Sequence, residues 1–362
     1  EGNVLFHNDG GQHFVDVTSA AGIGTGGTGM TASLGDYDND GWLDLYVANW
    51  ACANCRDFLE AMRDRLFHND GDGTFTDVTA LLGSNLTIGY GYAAGFLDFD
   101  DDGDLDIYLV NDKGGPGVPP ANTPMNRNVL WRNDGAGTSG WVFTEIAIAA
   151  GADSRIDGMG IAVGDFDGDH HLDIAASNHG RPVLLHNQGN GTFADVAAVA
   201  GVPVLPTTWG LFFADLNNDG RPDLYIAGSD PVSCTLENVG AAGFRDVAAI
   251  SNTDDPLYTM GAACADYDGD GWLDFVVGNW GTAYRLNRNL GLAGEHHWFR
   301  ARLEGRGAVN RDAVGTRVLV TDTLGRTQMQ EVMCGSSLGA GNDLALHFGL
   351  GTAQVTEVTV RW

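Results

Sequence analysis

An all-β propeller is the fold this sequence predicts, and three observations predict it. The nine-residue acidic stretch Asp36-Tyr37-Asp38-Asn39-Asp40-Gly41-Trp42-Leu43-Asp44 recurs in one register from Asp98, Asp165, Asp215 and Asp266. The first aspartates of successive copies are 62, 67, 50 and 51 residues apart, a period that suits four-stranded blades. Each copy is preceded by a Gly/Ala-rich run and followed by about six apolar or alternating residues, as in Leu43-Asp44-Leu45-Tyr46-Val47-Ala48, which is strand patterning. A β-solenoid also repeats, but its turns are much shorter than these units.

The acidic stretches are laid out as cation loops. Positions 1, 3, 5 and 9 hold Asp36, Asp38, Asp40 and Asp44 in the first, and Asp98, Asp100, Asp102 and Asp106 in the second. The third has Asp165, Asp167, Asp169 and Asp173, the fourth Asp215, Asn217, Asp219 and Asp223, and the fifth Asp266, Asp268, Asp270 and Asp274. Position 7 offers a main-chain carbonyl from Trp42, Asp104, His171, Arg221 or Trp272. A short run of oxygen donors suits Ca2+, which takes six to eight; Mg2+ demands stricter octahedral geometry and fits less well. About five calcium ions are expected. Position 6 is glycine except in the third loop, where His170 must make the same sharp turn at lower affinity. An EF-hand is excluded: its bidentate Glu at position 12 is replaced by Val47, Leu109, Ala176, Ile226 and Val277.

Innermost strands are read at 31–35, 93–97, 160–164, 210–214 and 261–265, each after a bulky Met30, Tyr92, Met159, Trp209 or Met260 suited to wedging between blades. The outer strands come from a second repeat, Leu66-Phe67-His68-Asn69-Asp70-Gly71 with Phe75 being one copy, in which Asn-Asp-Gly marks a hairpin. His7, His68 and His186 share one position of this repeat, Arg132 replacing them once, and read as parts of the repeat rather than catalysts. Between strands two and three, 55–65 reads as a short helix (Phe58, Leu59, Met62) and 113–122 as a Gly/Pro loop. Residues 297–303, 315–320, 328–332, 345–348 and 358–362 are strands without acidic loops. Because the chain opens on strands three and four alone, the C-terminal strands are expected to complete that blade and close the ring. Seven blades are favoured, six being the alternative.

The 362 residues carry a formal net charge of −29, which argues against nucleic acid and anionic membranes; five divalent ions would bring it to −19. No apolar run reaches transmembrane length, so direct membrane insertion is not expected. Glu1 opens straight onto a strand-like segment, and the sequence is expected to carry no signal peptide. Cys52 and Cys55 form a CxxC; zinc would want two more ligands nearby, so a small-loop disulfide is the better reading. Cys234, Cys264 and Cys334 read as buried small hydrophobes.

These repeats resemble the FG-GAP/VCBS repeats of integrin-type β-propellers. Asn310-Arg311-Asp312-Ala313-Val314-Gly315, followed by His347-Phe348-Gly349-Leu350-Gly351, resembles the ASPIC/UnbV domain of the cartilage acidic protein family. The resemblance divides the chain into propeller repeats at 1–290 and an ASPIC/UnbV-like region at 291–362. It implies an extracytoplasmic protein, secreted, periplasmic or at the cell surface, engaged in adhesion or interaction.

No GxSxG, HExxH or phosphate-cradling loop is present. If the acidic loops form one rim, the opposite mouth collects Trp50, Asp112, Lys113, His179, Arg181, Trp209, Asp230, Tyr258 and Trp280. Aromatics with a few charges suit a protein or carbohydrate partner. The leading expectation is a calcium-stabilised interaction module or accessory subunit; the alternative is a lyase- or cyclase-type enzyme using the same mouth.

Overall fold

A computed structural model describes residues 2–24, 27–50, 58–83, 87–113, 126–138, 140–229, 233–294 and 296–362. Cys52, Cys55, Asp230 and most of the Gly/Pro loop lie outside them. Of the helix expected over 55–65, the described part is one turn, Phe58–Ala61.

Each acidic stretch joins the first two strands of one antiparallel sheet. The first sheet runs Gly29–Gly35, Asp44–Asn49, Arg65–Asn69, Phe75–Asp77. The second runs Gly91–Leu97, Asp106–Asn111, Val129–Gly137, Gly140–Glu145. The third is Ile161–Gly164, Asp173–Ala176, Val183–Asn187, Phe193–Asp195, and the fourth Thr208–Ala214, Asp223–Gly228, Cys234–Asn238, Phe244–Asp246. Among the described residues the fifth has three strands, Thr259–Ala265, Asp274–Asn279 and Arg285–Asn287, rather than the expected four. After Asn289 the chain leaves for the C-terminal region instead of turning back.

The innermost strands lie side by side in the same direction. Thr31 Oγ1 donates to Tyr92 O at one end, and Gly35 faces the Phe96 ring at the other. Gly160 and Gly164 meet Trp209 and Phe213 in the same way. Small residues are needed here: a Cβ on Gly160 would sit 2.2 Å from Trp209 O. This parallel stacking puts the five acidic loops on one rim. Asn39 Nδ2 donates to Asp104 Oδ1 (2.7 Å), and His171 Nδ1 lies 2.8 Å from Asp101 Oδ2, so neighbouring loops touch.

The expected closure is corrected. Among the described residues, Phe6–Asn8 and Phe14–Asp16 pair only with each other, packing Leu5 and Val17 onto the core of the first sheet. The C-terminal strands satisfy their edges among themselves: Arg317–Asp322 lies between Thr327–Glu331 and Val355–Arg361, and His297–Ala301 pairs with Leu346–Gly351. Their apolar faces bury Val318, Val320, Val332, Leu346 and Phe348 in a core of their own. That region sits on the acidic rim, and a segment of it enters the axis. Leu34 N donates to Cys334 O (3.0 Å), Ser337 N to Ile161 O (2.6 Å) and Asp343 N to Cys264 O (3.1 Å), touching the first, third and fifth inner strands in turn.

Candidate metal loops and aromatic mouth

The five loops share one wiring scheme. The position 1 carboxylate accepts the amides of positions 5 and 6, as Asp36 does from Asp40 and Gly41 (3.1 and 3.0 Å). The position 5 carboxylate accepts the position 7 amide, as Asp40 does from Trp42 (2.8 Å). The position 9 carboxylate accepts from position 2 and from the hairpin asparagine of strand three: Asp44 Oδ2 from Tyr37 N, Oδ1 from Asn69 N. His170 makes the turn that glycine makes elsewhere, at φ 71° against 95° for Gly41, and its Nε2 lies 3.2 Å from Thr327 O of the C-terminal region.

These carboxylates are buried together. Burial, with neighbouring carboxylates adding to it, pushes Asp44 up to about 8, Asp173 up to about 9 and Asp223 up to about 8. Asp36, Asp100 and Asp165 are raised to about 6 and Asp215 to about 7 for the same reason. Such crowding calls for a cation between the oxygens. The ligand atoms of Asp36, Asp38 and Asp40, of Asp98, Asp100 and Asp106, and of Asp165, Asp167 and Asp173 lie within 4.8 Å of one another in each set. Asp38 Oδ1 and Asp100 Oδ1 are buried with no hydrogen-bond partner. The carboxylate and carbonyl donors within the loops and these orphaned oxygens fit Ca2+.

The hairpin asparagine does more than turn the chain. Asn133 Nδ2 donates to Tyr37 O in the preceding loop (2.7 Å), and Asn187, Asn238 and Asn289 do so to Phe99 O, Phe166 O and Leu216 O, each at 2.7 Å. The same amide also reaches its own loop, Asn187 to Leu172 O at 3.2 Å. Each of the first four loops is thereby pinned to the next blade. Asn187→Ala, at a fully buried position, leaves two carbonyls without a donor and is expected to cost roughly 1–3 kcal/mol, read as a lower denaturant midpoint at unchanged slope.

At the other end the mouth residues meet. Trp50, Tyr92, Trp209 and Tyr258 form a continuous row, with ring centroids 6.0, 6.3 and 5.8 Å apart in succession. Trp50 Nε1 donates to Asp112 Oδ2 (3.0 Å) and Trp209 Nε1 to Ser229 Oγ (3.3 Å). Trp280 N donates to Tyr258 O (2.8 Å), and its side chain is 71% exposed. Lys113 pairs with Asp157 (2.8 Å), His179 Nδ1 lies 3.3 Å from Thr207 Oγ1, and Arg181 Nε donates to Val202 O. These three are engaged with their own connections rather than joined to the row. Tyr92 is a row member that the sequence reading placed among the blade wedges; its register match to Trp209 was the available signal.

A cavity of about 130 Å³ lies on the axis between propeller and C-terminal region, lined by Asp165, Asp215, Asp266, Arg300, Glu331 and His347. Burial lowers His347 to about 4, and its Nε2 lies 2.7 Å from Asn218 Oδ1.

The FG-GAP-like repeat model matches residues 1–47, 57–109, 98–176 and 165–226, and the ASPIC and UnbV model matches 306–362. Cartilage acidic protein 1 of Mus musculus is 29% identical over 266 residues, 71% of this chain and 39% of that protein. The Xenopus tropicalis protein of that name is 27% identical over 310 residues, 82% of this chain and 46% of the other. The chain thus spans less than half the length of these relatives. Among solved structures, an Agrocybe aegerita lectin recognising non-reducing terminal N-acetylglucosamine aligns with TM-score 0.44 and 19% identity, covering 82% of this chain and 78% of that one. A likeness at that level says nothing of what this chain binds.

Proposed function

Because the chain belongs to the FG-GAP-like repeat family, we propose that it is a calcium-stabilised, extracytoplasmic interaction module whose protein or carbohydrate partner docks at the mouth away from the acidic loops. On this reading 1–290 is the propeller, 291–362 the ASPIC/UnbV-like cap, and about five divalent cations sit in the loops, calcium wherever the donors are all oxygen. The observation that carries it is the aromatic row from Trp50 to Tyr258, beside whose end the exposed Trp280 is tied by its main-chain amide. Among the described residues the C-terminal region lies against the loop rim, not against the mouth. No described helix is long and apolar enough to cross a membrane.

The test is a binding screen of the calcium-loaded chain on immobilised glycans and extracellular-matrix proteins. Tyr258→Ala and Trp280→Ala should weaken any genuine partner by at least about 30-fold, the effect of losing an aromatic hot spot. Val199→Ser, at an exposed site beyond the third sheet's outer strand, should leave it unchanged. Partners indifferent to both aromatic variants would refute the mouth as the docking surface.

The axial cavity with its buried His347 favours a second reading, an enzyme, though at the loop end rather than the mouth. His347 is tied to Asn218 and weakened as a base by burial, which suits a packing role better. Turnover of a polysaccharide that His347→Gln abolishes without lowering stability would reverse that preference.

A further inference from the structure

The histidines of the hairpin repeat have a place in the loops. His68 and His186 sit on strand three, one residue before the hairpin asparagines Asn69 and Asn187, and lean over the first and third acidic loops. His68 Nδ1 lies 3.3 Å from Asp38 Oδ2 and 3.3 Å from Asp44 Oδ1. His186 Nε2 lies 2.9 Å from Asp167 Oδ2 and 3.4 Å from Asp169 Oδ2. In each trio the ligand atoms all lie within 4.8 Å of one another. Both nitrogens are buried and make no hydrogen bond, and neither does Asp38 Oδ1, on a side chain only 10% exposed. The rings are held edge-on to aromatic neighbours, Tyr37 and Phe166.

The donor types discriminate between cations. Donors bound to zinc at about 2.0–2.2 Å stand about 3.4 Å apart at the edges of a tetrahedron, and three of the four His–Asp separations, at 3.3, 3.3 and 3.4 Å, are close to that. Calcium takes six to eight oxygens and gains little from imidazole, whereas imidazole suits zinc and its neighbours. At the matching position the other loops have no nitrogen ligand. Arg132 stands there in the second and is paired with Asp134, Glu237 in the fourth and is paired with Arg245, and Arg288 in the fifth and is paired with Asp268.

We propose that the first and third loops are mixed nitrogen–oxygen sites, in which His68 with Asp38 and Asp44, and His186 with Asp167 and Asp169, bind a transition cation of the zinc class. The second, fourth and fifth loops are oxygen-only calcium sites. The proposal rests on the reading that the acidic loops hold metal at all.

The experiment is equilibrium dialysis of the full chain in millimolar calcium against Zn2+, with metal counted by mass spectrometry, for wild type, His68→Gln, His186→Gln and the double variant. Two zinc ions per wild-type chain are expected, one in each single variant and none in the double, with affinity at each altered loop falling at least about tenfold. The calcium content of the other loops should not change. No zinc bound by the wild type, or equal zinc in the double variant, overturns the proposal. Should a variant misfold by circular dichroism, the zinc K-edge spectrum of the wild type decides: imidazole scattering supports it, and an oxygen-only shell overturns it. The calcium count separates the two readings. Calcium bound without histidine-dependent zinc sinks only this inference, whereas a chain that binds no calcium sinks the loop reading itself.

Discussion

Removing divalent cations is expected to lower the melting temperature more than any single substitution in this chain. Extracellular calcium sites have dissociation constants of roughly 10⁻⁴ to 10⁻³ M. At about 1 mM free calcium, a site of about 0.1 mM stabilises the fold by about 1.4 kcal/mol, and five would contribute about 7 kcal/mol, comparable to a typical domain's whole stability of about 5–15 kcal/mol. The pH dependence should then reverse with the ion. Without a cation, Asp44, Asp173 and Asp223 titrate at about 8, 9 and 8 in the folded state, above the unfolded value near 3.9. A carboxyl raised on folding contributes fully below its unfolded pKa, and the contribution is lost as pH rises through the folded one. Cation-free protein should therefore melt lower at pH 8.5 than at pH 5. With calcium holding the carboxylates ionised, that loss disappears. Asp36→Ala should cost more than Asp165→Ala, since the third loop already carries a non-glycine turn at His170. Equal melting temperatures in chelator and calcium at pH 8 would show that the loops are not structural metal sites.

What was legible in the sequence is what is local. A cation loop places its donors within nine residues, so Asp36 to Asp44 announces itself without any knowledge of the fold. The Gly/Ala runs of the inner strands betray the axis because only small residues admit the neighbouring backbone, as at Gly160 against Trp209 O. Contacts across blades are a different matter. Asn187 reads as a hairpin residue because its turn is local, whereas its bond to Phe99 O spans 88 positions. The C-terminal strands are legible as strands, but pairing preference is not written in strand patterning. They join one another because Val318, Val320 and Phe348 have a core to share there, an outcome that depends on facing residues some 30 positions apart. The rim cap follows from that choice, and on the proposed reading it leaves the aromatic mouth to the partner.

A buried cation helps to hold the cap to the rim. Arg317, 6% exposed, donates from Nε to Glu331 Oε2 (2.9 Å), and its guanidinium also meets the Asp101 carboxylate and the main-chain carbonyl of Asp98. Asp98 Oδ2 lies 3.6 Å away, so the charge also faces position 1 of the second loop. Burial pushes Glu331 up to about 7, with Arg317 opposing the shift. Arg317→Met leaves the buried Glu331 carboxylate without its cation, a change that typically costs about 3–5 kcal/mol. Arg317→Lys keeps the charge but not the planar fork that serves three acceptors at once, and should fall between wild type and methionine. Glu331→Leu added to Arg317→Met should recover much of the loss, because an apolar pair replaces a buried ion pair at little net cost. If the arginine holds the cap to the rim, Arg317→Met will also speed limited proteolysis between 289 and 317, where the chain passes from propeller to cap. A methionine variant with the wild-type denaturant midpoint and digestion rate would place the cap's attachment in the axial segment around Cys334 and Ser337 instead.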